Sequence, residues 1–398
     1  MSAKGDQGTV RALNRRLLLR LLREQGPTSR TDLAELSGLS NGAITRIVGE
    51  LIDEGFLVER SVGASTGGRR PVLLDLDTSV RVVAGLKVMD DEILAVLVDI
   101  KGAVVANACL PLHTHSVDAV LDRCGSAVTE LLASAAIPRD QLSGIGLCMP
   151  GSVDWRAGVC RLSPFFGWVD VPVAELFSDQ MGVPVFIDND VNALAVAESL
   201  FGSSRQVRDF AVVTVGRGVG AGLVCGGRVY RGCSGGAGEF GHAVSQIGGR
   251  RCECGKAGCL EAYVGDHAVL GRVHELGGRY AHVDVAEFVA LARGDDPAAA
   301  AIYAEVTERL GVAIANLINL FDPQLVVIGG EAAYLTEAFV ADVRRHIDTH
   351  AFGGLDDDFE LQLDAERGDR TRWARGAASL AMEHMFDPLI KTHDLAIA

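Results

Sequence analysis

Three cysteines fall within eight residues at Cys252, Cys254 and Cys259, and His242 lies ten residues before the first of them. One imidazole and three thiolates make a complete tetrahedral donor set for zinc. Four protein ligands leave no coordination position for water, so the expectation is one structural Zn2+ per chain and no hydrolysis at the metal. Glycines at 248, 249, 255 and 258 would let the backbone fold tightly around the ion. The remaining cysteines (Cys109, Cys124, Cys148, Cys160, Cys225 and Cys233) are scattered through apolar or small-residue stretches. That scatter is no disulfide framework, and in a reducing compartment a local cluster favours metal.

The chain that must position this cluster has 398 residues, 48% of them apolar, which suggests two or three domains with sizeable cores. Its start lacks an apolar signal core, and no stretch of roughly 18 residues is free of charge. A cytoplasmic protein without a membrane partner is expected. The net charge of −15 argues against nucleic acid only on average. The first 71 residues carry eleven basic and eight acidic side chains, against 26 and 44 in the remainder. A nucleic-acid partner must therefore be sought at the N-terminus.

There, Leu13, Leu17, Leu18, Leu21 and Leu22 form one stripe at helical spacing, and Gly26-Pro27 stops the helix. Thr28 or Ser29 caps a short second helix with Leu33, Ala34 and Leu36 inward. Gly38 makes a turn, and Ser40 or Asn41 caps a third helix that buries Ile44, Ile47, Val48, Leu51 and Ile52 and ends at Gly55. FLVERSV and PVLLDLD read as two strands flanking the turn GASTGGRR. Three helices and a hairpin wing make a winged helix-turn-helix. A small helical protein–protein module is the competing interpretation, which the turn spacing and the tract Gly67-Gly68-Arg69-Arg70-Pro71 disfavour. Ser40, Asn41, Thr45 and Arg46 on the third helix are the candidate major-groove residues. Arg69 and Arg70 suit a narrow minor groove.

From about Val80 apolar strand-like runs alternate with helical stretches, an α/β pattern in two strand-rich halves that suggests two lobes around a ligand cleft. The stretch GGAGEFGHAVSQIGGRRCECGKAGCLEAYVG closely resembles the signature of the ROK family, which groups sugar kinases and sugar-responsive repressors. Asp188-Asn189-Asp190-Val191-Asn192-Ala193 is similar to the family's sugar-site stretch, and PQLVVIGG to its nucleotide-end glycine pair. The resemblance implies an actin-like, two-lobed α/β body carrying an N-terminal winged helix-turn-helix. The expected division is 1–78 for DNA binding with its basic Gly-Arg linker, and 79–398 for sugar sensing, dimerisation and structural zinc.

Carried over by position, the resemblance implies a sugar site of Asn189, Asp190, Glu239, His242 and Glu261. Their carboxylates, amide and imidazole suit vicinal hydroxyls. His242 would then bind zinc through one nitrogen and face the sugar with the other. In the family's kinases the aspartate matching Asp190 is the general base. The family's first phosphate loop, Asp-x-Gly-x-Thr, here aligns with Lys87-Val88-Met89-Asp90-Asp91, followed by Glu92. Three carboxylates in a row would repel a triphosphate, at about 1–4 kcal/mol for each like-charge contact. The second loop, Gly216-Arg217-Gly218-Val219-Gly220, keeps its glycines but has Arg217 where threonine is usual. The expectation is therefore a non-enzymatic regulator, probing an inverted-repeat operator as a homodimer or dimer of dimers, with a sugar or sugar phosphate as effector. The alternative is an ATP-dependent sugar kinase, glucokinase-like, or a bifunctional kinase-regulator.

Overall fold

A computed structural model describes residues 7–60, 71–332, 334–355, 359–366 and 368–385. The N-terminal module is built from α1 (Gln7–Gln25), α2 (Arg30–Ser37) and α3 (Asn41–Asp53). Ser29 caps α2 by accepting from the Asp32 amide, and Ser40 caps α3 by accepting from the Ala43 amide. Short strands β1 (Thr28–Ser29), β2 (Leu57–Arg60) and β3 (Leu73–Leu76) pair antiparallel in the order β1-β3-β2. Leu18, Leu22, Leu33, Ile44, Val48, Leu51 and Leu74 are wholly buried between helices and wing.

Two leucines expected inside are outside: Leu13 is 55% and Leu36 50% exposed. On α1 the inward place is taken by Arg15, whose guanidinium pairs with Glu54 and lies 3.8 Å from Glu50. Residues two apart on a helix point about 200° apart, so turning Arg15 inward turns Leu13 out. On α2 the buried arc runs through Leu33, Ala34 and Ser37. Leu36 falls about 100° from the centre of that arc.

The described residues divide into two compact units, one running to Asp190 and resuming at Trp373, the other spanning Val191–Arg372. The first unit also contains the winged module. Its body holds β4 (Val82–Val88), β5 (Glu92–Asp99), β6 (Val104–Pro111), α4 (Val117–Ser134) and β7 (Leu142–Met149). A small sheet of β8 (Ser152–Asp154), β9 (Val159–Ser163) and β10 (Trp168–Val171) follows, then α5 (Val173–Met181) and β11 (Val185–Asn189). α6 (Asp190–Phe201) leads into the second unit.

That unit contains β12 (Phe210–Val215), β13 (Val219–Cys225), β14 (Arg228–Val229), α7 (Glu261–Val264), α8 (Asp266–Glu275), α9 (Val285–Arg293) and α10 (Pro297–Phe321). β15 (Leu325–Gly329), α11 (Glu337–His350) and β16 (Glu360–Leu363) complete it, and α12 (Thr371–Met385) returns the chain to the first unit.

The two main sheets share one topology: β11-β7-β4-β5-β6 in the first unit and β14-β13-β12-β15-β16 in the second. In each, the first strand is central, the next two run antiparallel on one side, and the last two run parallel on the other. β4 and β12 are buried along their whole length, as strands covered on both faces must be. Helix α12 lies against β4 and β7 because those strands have no side chain at the contact. A Cβ on Gly146 would stand 1.7 Å from the Ala377 carbonyl oxygen, so only glycine allows the approach. No helix among the described residues is long and apolar enough to cross a membrane.

The winged module is fastened to the body of its unit. Ile100, just beyond β5, belongs to the module's core. Asp75, only 1% exposed, accepts from Lys101 Nζ at 2.9 Å and pairs with Arg60 at 3.0 Å. Arg81 stacks its guanidinium over Phe56, 4.7 Å from the ring centre, and donates to the Glu54 carbonyl at 3.1 Å.

Candidate metal centre and ligand-reading residues

The loop between β14 and α7 gathers His242, Cys252, Cys254 and Cys259, with one donor atom from each lying within 4.8 Å of every other. His242 Nδ1 is 3.7 Å from Cys252 Sγ, and Cys254 Sγ is 3.7 Å from Cys259 Sγ. A tetrahedron with arms of about 2.3 Å has edges of about 3.8 Å, so the four side chains fit one ion of that size. Burial pushes the Cys252 and Cys259 thiols up, and a cation is what ionises such thiols at neutral pH. Bridges between Val244 and Cys259 and between Arg251 and Ala257 close the loop on itself. Gly258 has φ +87°, and a Cβ there would meet the Gln246 carbonyl at 1.8 Å.

Two residues that no spacing pattern announces hold this loop. Arg309, on α10, stacks over Tyr263 at 3.8 Å and donates to Ser245 Oγ at 3.0 Å and Gln246 Oε1 at 2.7 Å. The Tyr263 hydroxyl accepts from the Arg250 amide at 2.8 Å. Arg309 lies far along the chain from Cys259, and a lone arginine in an amphipathic helix carries no sequence signal of this role.

The second unit brings three of the expected ligand readers to this cluster. Glu261 accepts from the Val219 amide at 3.0 Å through Oε2, while Cys252 Sγ donates to its Oε1 at 3.5 Å. One carboxylate therefore links the metal loop to the glycine loop after β12. His242 turns Nδ1 to the cysteines and Nε2 to Glu239, 3.8 Å away.

The other two expected readers belong to the first unit, at the end of β11. Asn189 donates its side-chain N–H to the Gly151 carbonyl at 3.0 Å. Asp190 opens α6, with Lys87 Nζ 3.8 Å from its Oδ2. Lys87 is 5% exposed and lies over the Trp373 ring at 3.6 Å from its centre. Cys148 is its partner across β7, and burial followed by the Asp190 charge pushes that thiol well up.

Carboxylates lie at both stretches that align with the family's phosphate loops. After β4 the chain makes a tight turn in which the Met89 amide donates to the Glu92 carbonyl at 2.9 Å, with Asp90 and Asp91 exposed. In the second unit the Gly216 amide donates to the Gly218 carbonyl, and His267 Nδ1 donates to the Arg217 carbonyl at 2.8 Å. The Asp266 amide donates to Gly216, and the Asp266 carboxyl is pushed to about 6, first by burial and then by the charge of Glu331. Two acids thus stand at the end where PQLVVIGG suggested a nucleotide, and sequence inspection did not single them out.

On the winged module, Asn41, Gly42, Thr45 and Arg46 are exposed on one face of α3. Ser40 spends its hydroxyl on the helix cap, and Thr45 donates to the Asn41 carbonyl at 2.9 Å. Arg69 and Arg70 lie outside the described residues. Arg11, Arg15, Arg20, Arg30 and Arg60 each pair with a carboxylate, which lowers the charge the module presents to a phosphate.

The ROK family profile matches residues 83–384, and a winged helix-turn-helix DNA-binding profile matches residues 11–58. A putative xylose repressor of Caldicellulosiruptor sp. is 32% identical over 361 residues, covering 87% of this chain and 90% of its own. The Escherichia coli DNA-binding transcriptional dual regulator NagC is 30% identical over 397 residues, covering 98% and 97%. The crystal structure of a ROK family transcriptional regulator, described as a homologue of E. coli MLC protein, superposes with a TM-score of 0.84 at 28% identity, covering 95% and 97%.

Metal analysis of the purified protein should return about one ion per chain, and Cys254→Ser should lose it. Because thiolate ligands must stay deprotonated, the ion should leave as pH falls. Full metal content in Cys254→Ser would mean that these side chains are not the ligand set.

Proposed function

The chain belongs to the ROK family, and with that membership and its N-terminal helix-turn-helix we propose that it is a sugar-responsive transcriptional regulator, a repressor of carbohydrate uptake or metabolism genes. The observation that carries this is Lys87: a buried ammonium, paired with Asp190, stands where the family's kinases place the phosphate-loop aspartate. The repressor names of its relatives support the same conclusion.

In this proposal α3 docks in a major groove, with Asn41, Thr45 and Arg46 at base edges and Ser40 holding the start of the helix. Arg69 and Arg70 add minor-groove contacts. A module with so many of its arginines already paired binds DNA weakly alone, since phosphate contacts dominate affinity. We therefore assign it a two-fold homodimer, on an inverted repeat with half-sites whole helical turns apart. The effector is a sugar or sugar phosphate read by Asn189 and Asp190 and by Glu239, His242 and Glu261. The ion is zinc, chosen by one imidazole and three thiolates, and its role is to hold His242 and Glu261 in place. Acting on DNA places the protein in the cytoplasm.

The kinase alternative makes a different demand. Purified protein given ATP with D-glucose, D-xylose or N-acetyl-D-glucosamine should release no ADP above background, and robust turnover with any of them would sink the regulator-only proposal.

Ligand reading is checked by thermal shift. A sugar at a hundred times its dissociation constant adds about 2.7 kcal/mol, and Asp190→Ala or Glu261→Ala should remove that gain while the operator is still bound without sugar. Undiminished shifts in both variants would place the sugar elsewhere.

DNA reading is checked by footprinting and titration. Arg46→Ala should weaken specific binding by about 1–3 kcal/mol and relax the preference at one base pair. A footprint over a single asymmetric half-site would contradict the dimeric proposal.

A further inference from the structure

Lys87 could be no more than the scar of a lost phosphate loop, but its surroundings give it work. The side chain is almost wholly buried, and groups of two opposite kinds lie beside its ammonium. The Asp190 carboxylate stands 3.8 Å away, and the face of Trp373 lies 3.6 Å below. The ring face and the carboxylate both attract the cation, which sits between them. Trp373 is itself only 9% exposed, and Cys148 on the adjoining strand donates to its carbonyl at 3.8 Å. The ammonium is thus walled in.

A carboxylate held in place beside a buried ammonium is set to accept a hydrogen bond from a hydroxyl. A kinase base must take the proton of the sugar hydroxyl; a sensor needs only to hold the hydroxyl. We propose that Lys87 is a positioning residue for the ligand: its ammonium, seated between Trp373 and Asp190, holds the Asp190 carboxylate as a fixed acceptor for a sugar hydroxyl. The substitution that ends phosphate binding at the first loop also builds the sensor. This rests on the assignment of Asp190 to the sugar site.

The test is a double-mutant cycle read by isothermal titration calorimetry, using whichever of D-xylose, D-glucose and N-acetyl-D-glucosamine binds the wild type most tightly. Asp190→Asn and Lys87→Met should each weaken binding by about tenfold or more, as expected for loss of a charge-assisted bond. If Lys87 acts through Asp190, the double variant should be no weaker than Asp190→Asn within about twofold. Lys87→Arg should recover part of the loss, because it restores the cation. A single cooperative thermal transition in each ligand-free variant checks folding, and Lys87→Gln replaces Lys87→Met if the latter fails it.

Losses that multiply in the double variant would overturn the proposal, since Lys87 would then act independently of Asp190. Wild-type affinity in Lys87→Met with loss in Asp190→Asn would overturn it too, while leaving the sugar site standing. Wild-type affinity in Asp190→Asn, or no sugar binding by the wild type, would instead remove the sugar-site assignment and this inference with it.

Discussion

Four donor atoms from His242, Cys252, Cys254 and Cys259 must meet within 4.8 Å, and much of the second unit's local structure answers to that constraint. Thiolates so close repel one another unless a cation lies between them. The backbone must reverse twice to bring them together, which is why Gly255 and Gly258 take positive φ. The loop that results is small and largely exposed, with Ile247 94% accessible, so it buries little apolar surface of its own. Arg309 and Tyr263 hold it from outside. Glu261 and His242 both reach the cluster through Cys252.

A second balance is one of charge. Asp90 and Asp91 after β4, and Asp266 with Glu331 in the second unit, put negative charge where a kinase needs to welcome phosphate. Each like-charge contact costs about 1–4 kcal/mol at surface dielectrics. The glycines persist for a different reason. Gly220 and Gly222 lie against Val191 and Ala195, with Cβ positions 2.8 Å and 2.7 Å from those side chains, so they serve helix–strand packing whatever the loop binds. A glycine pattern can outlast the chemistry that first accounts for it.

What was legible in the sequence follows from how local each feature is. The metal ligands, the helix stops and the serine caps depend on near neighbours, and were visible as spacing. The α/β alternation was visible too, but not that both sheets share one strand order, because pairing of β12 with β15 joins residues more than a hundred positions apart. The leucine stripe misplaces Leu13 because it omits a competitor, whereas Leu36 falls about 100° from the centre of the buried arc of α2. Arg15 takes the inward place on α1 through Glu54, and nothing near residue 15 announces that partner. Lys87 was seen as the loss of an aspartate; its pairing with Asp190 and stacking on Trp373 needed three distant segments side by side.

Those segments also bear on how the winged module is joined to the sheet of its unit. β4 is the central strand of its sheet, bonded to β5 on one side and β7 on the other. Lys87 lies near its far end, beside Asp190. Arg81 lies just before its start, stacked on Phe56 and bonded to the carbonyl of Glu54 at the end of α3. Six residues of extended chain span about 20 Å. The neighbouring β5 ends at the same place, delivering Ile100 to the module's core and Lys101 to buried Asp75. The winged helix is therefore joined to this sheet by buried packing and by paired charges at the ends of two neighbouring strands.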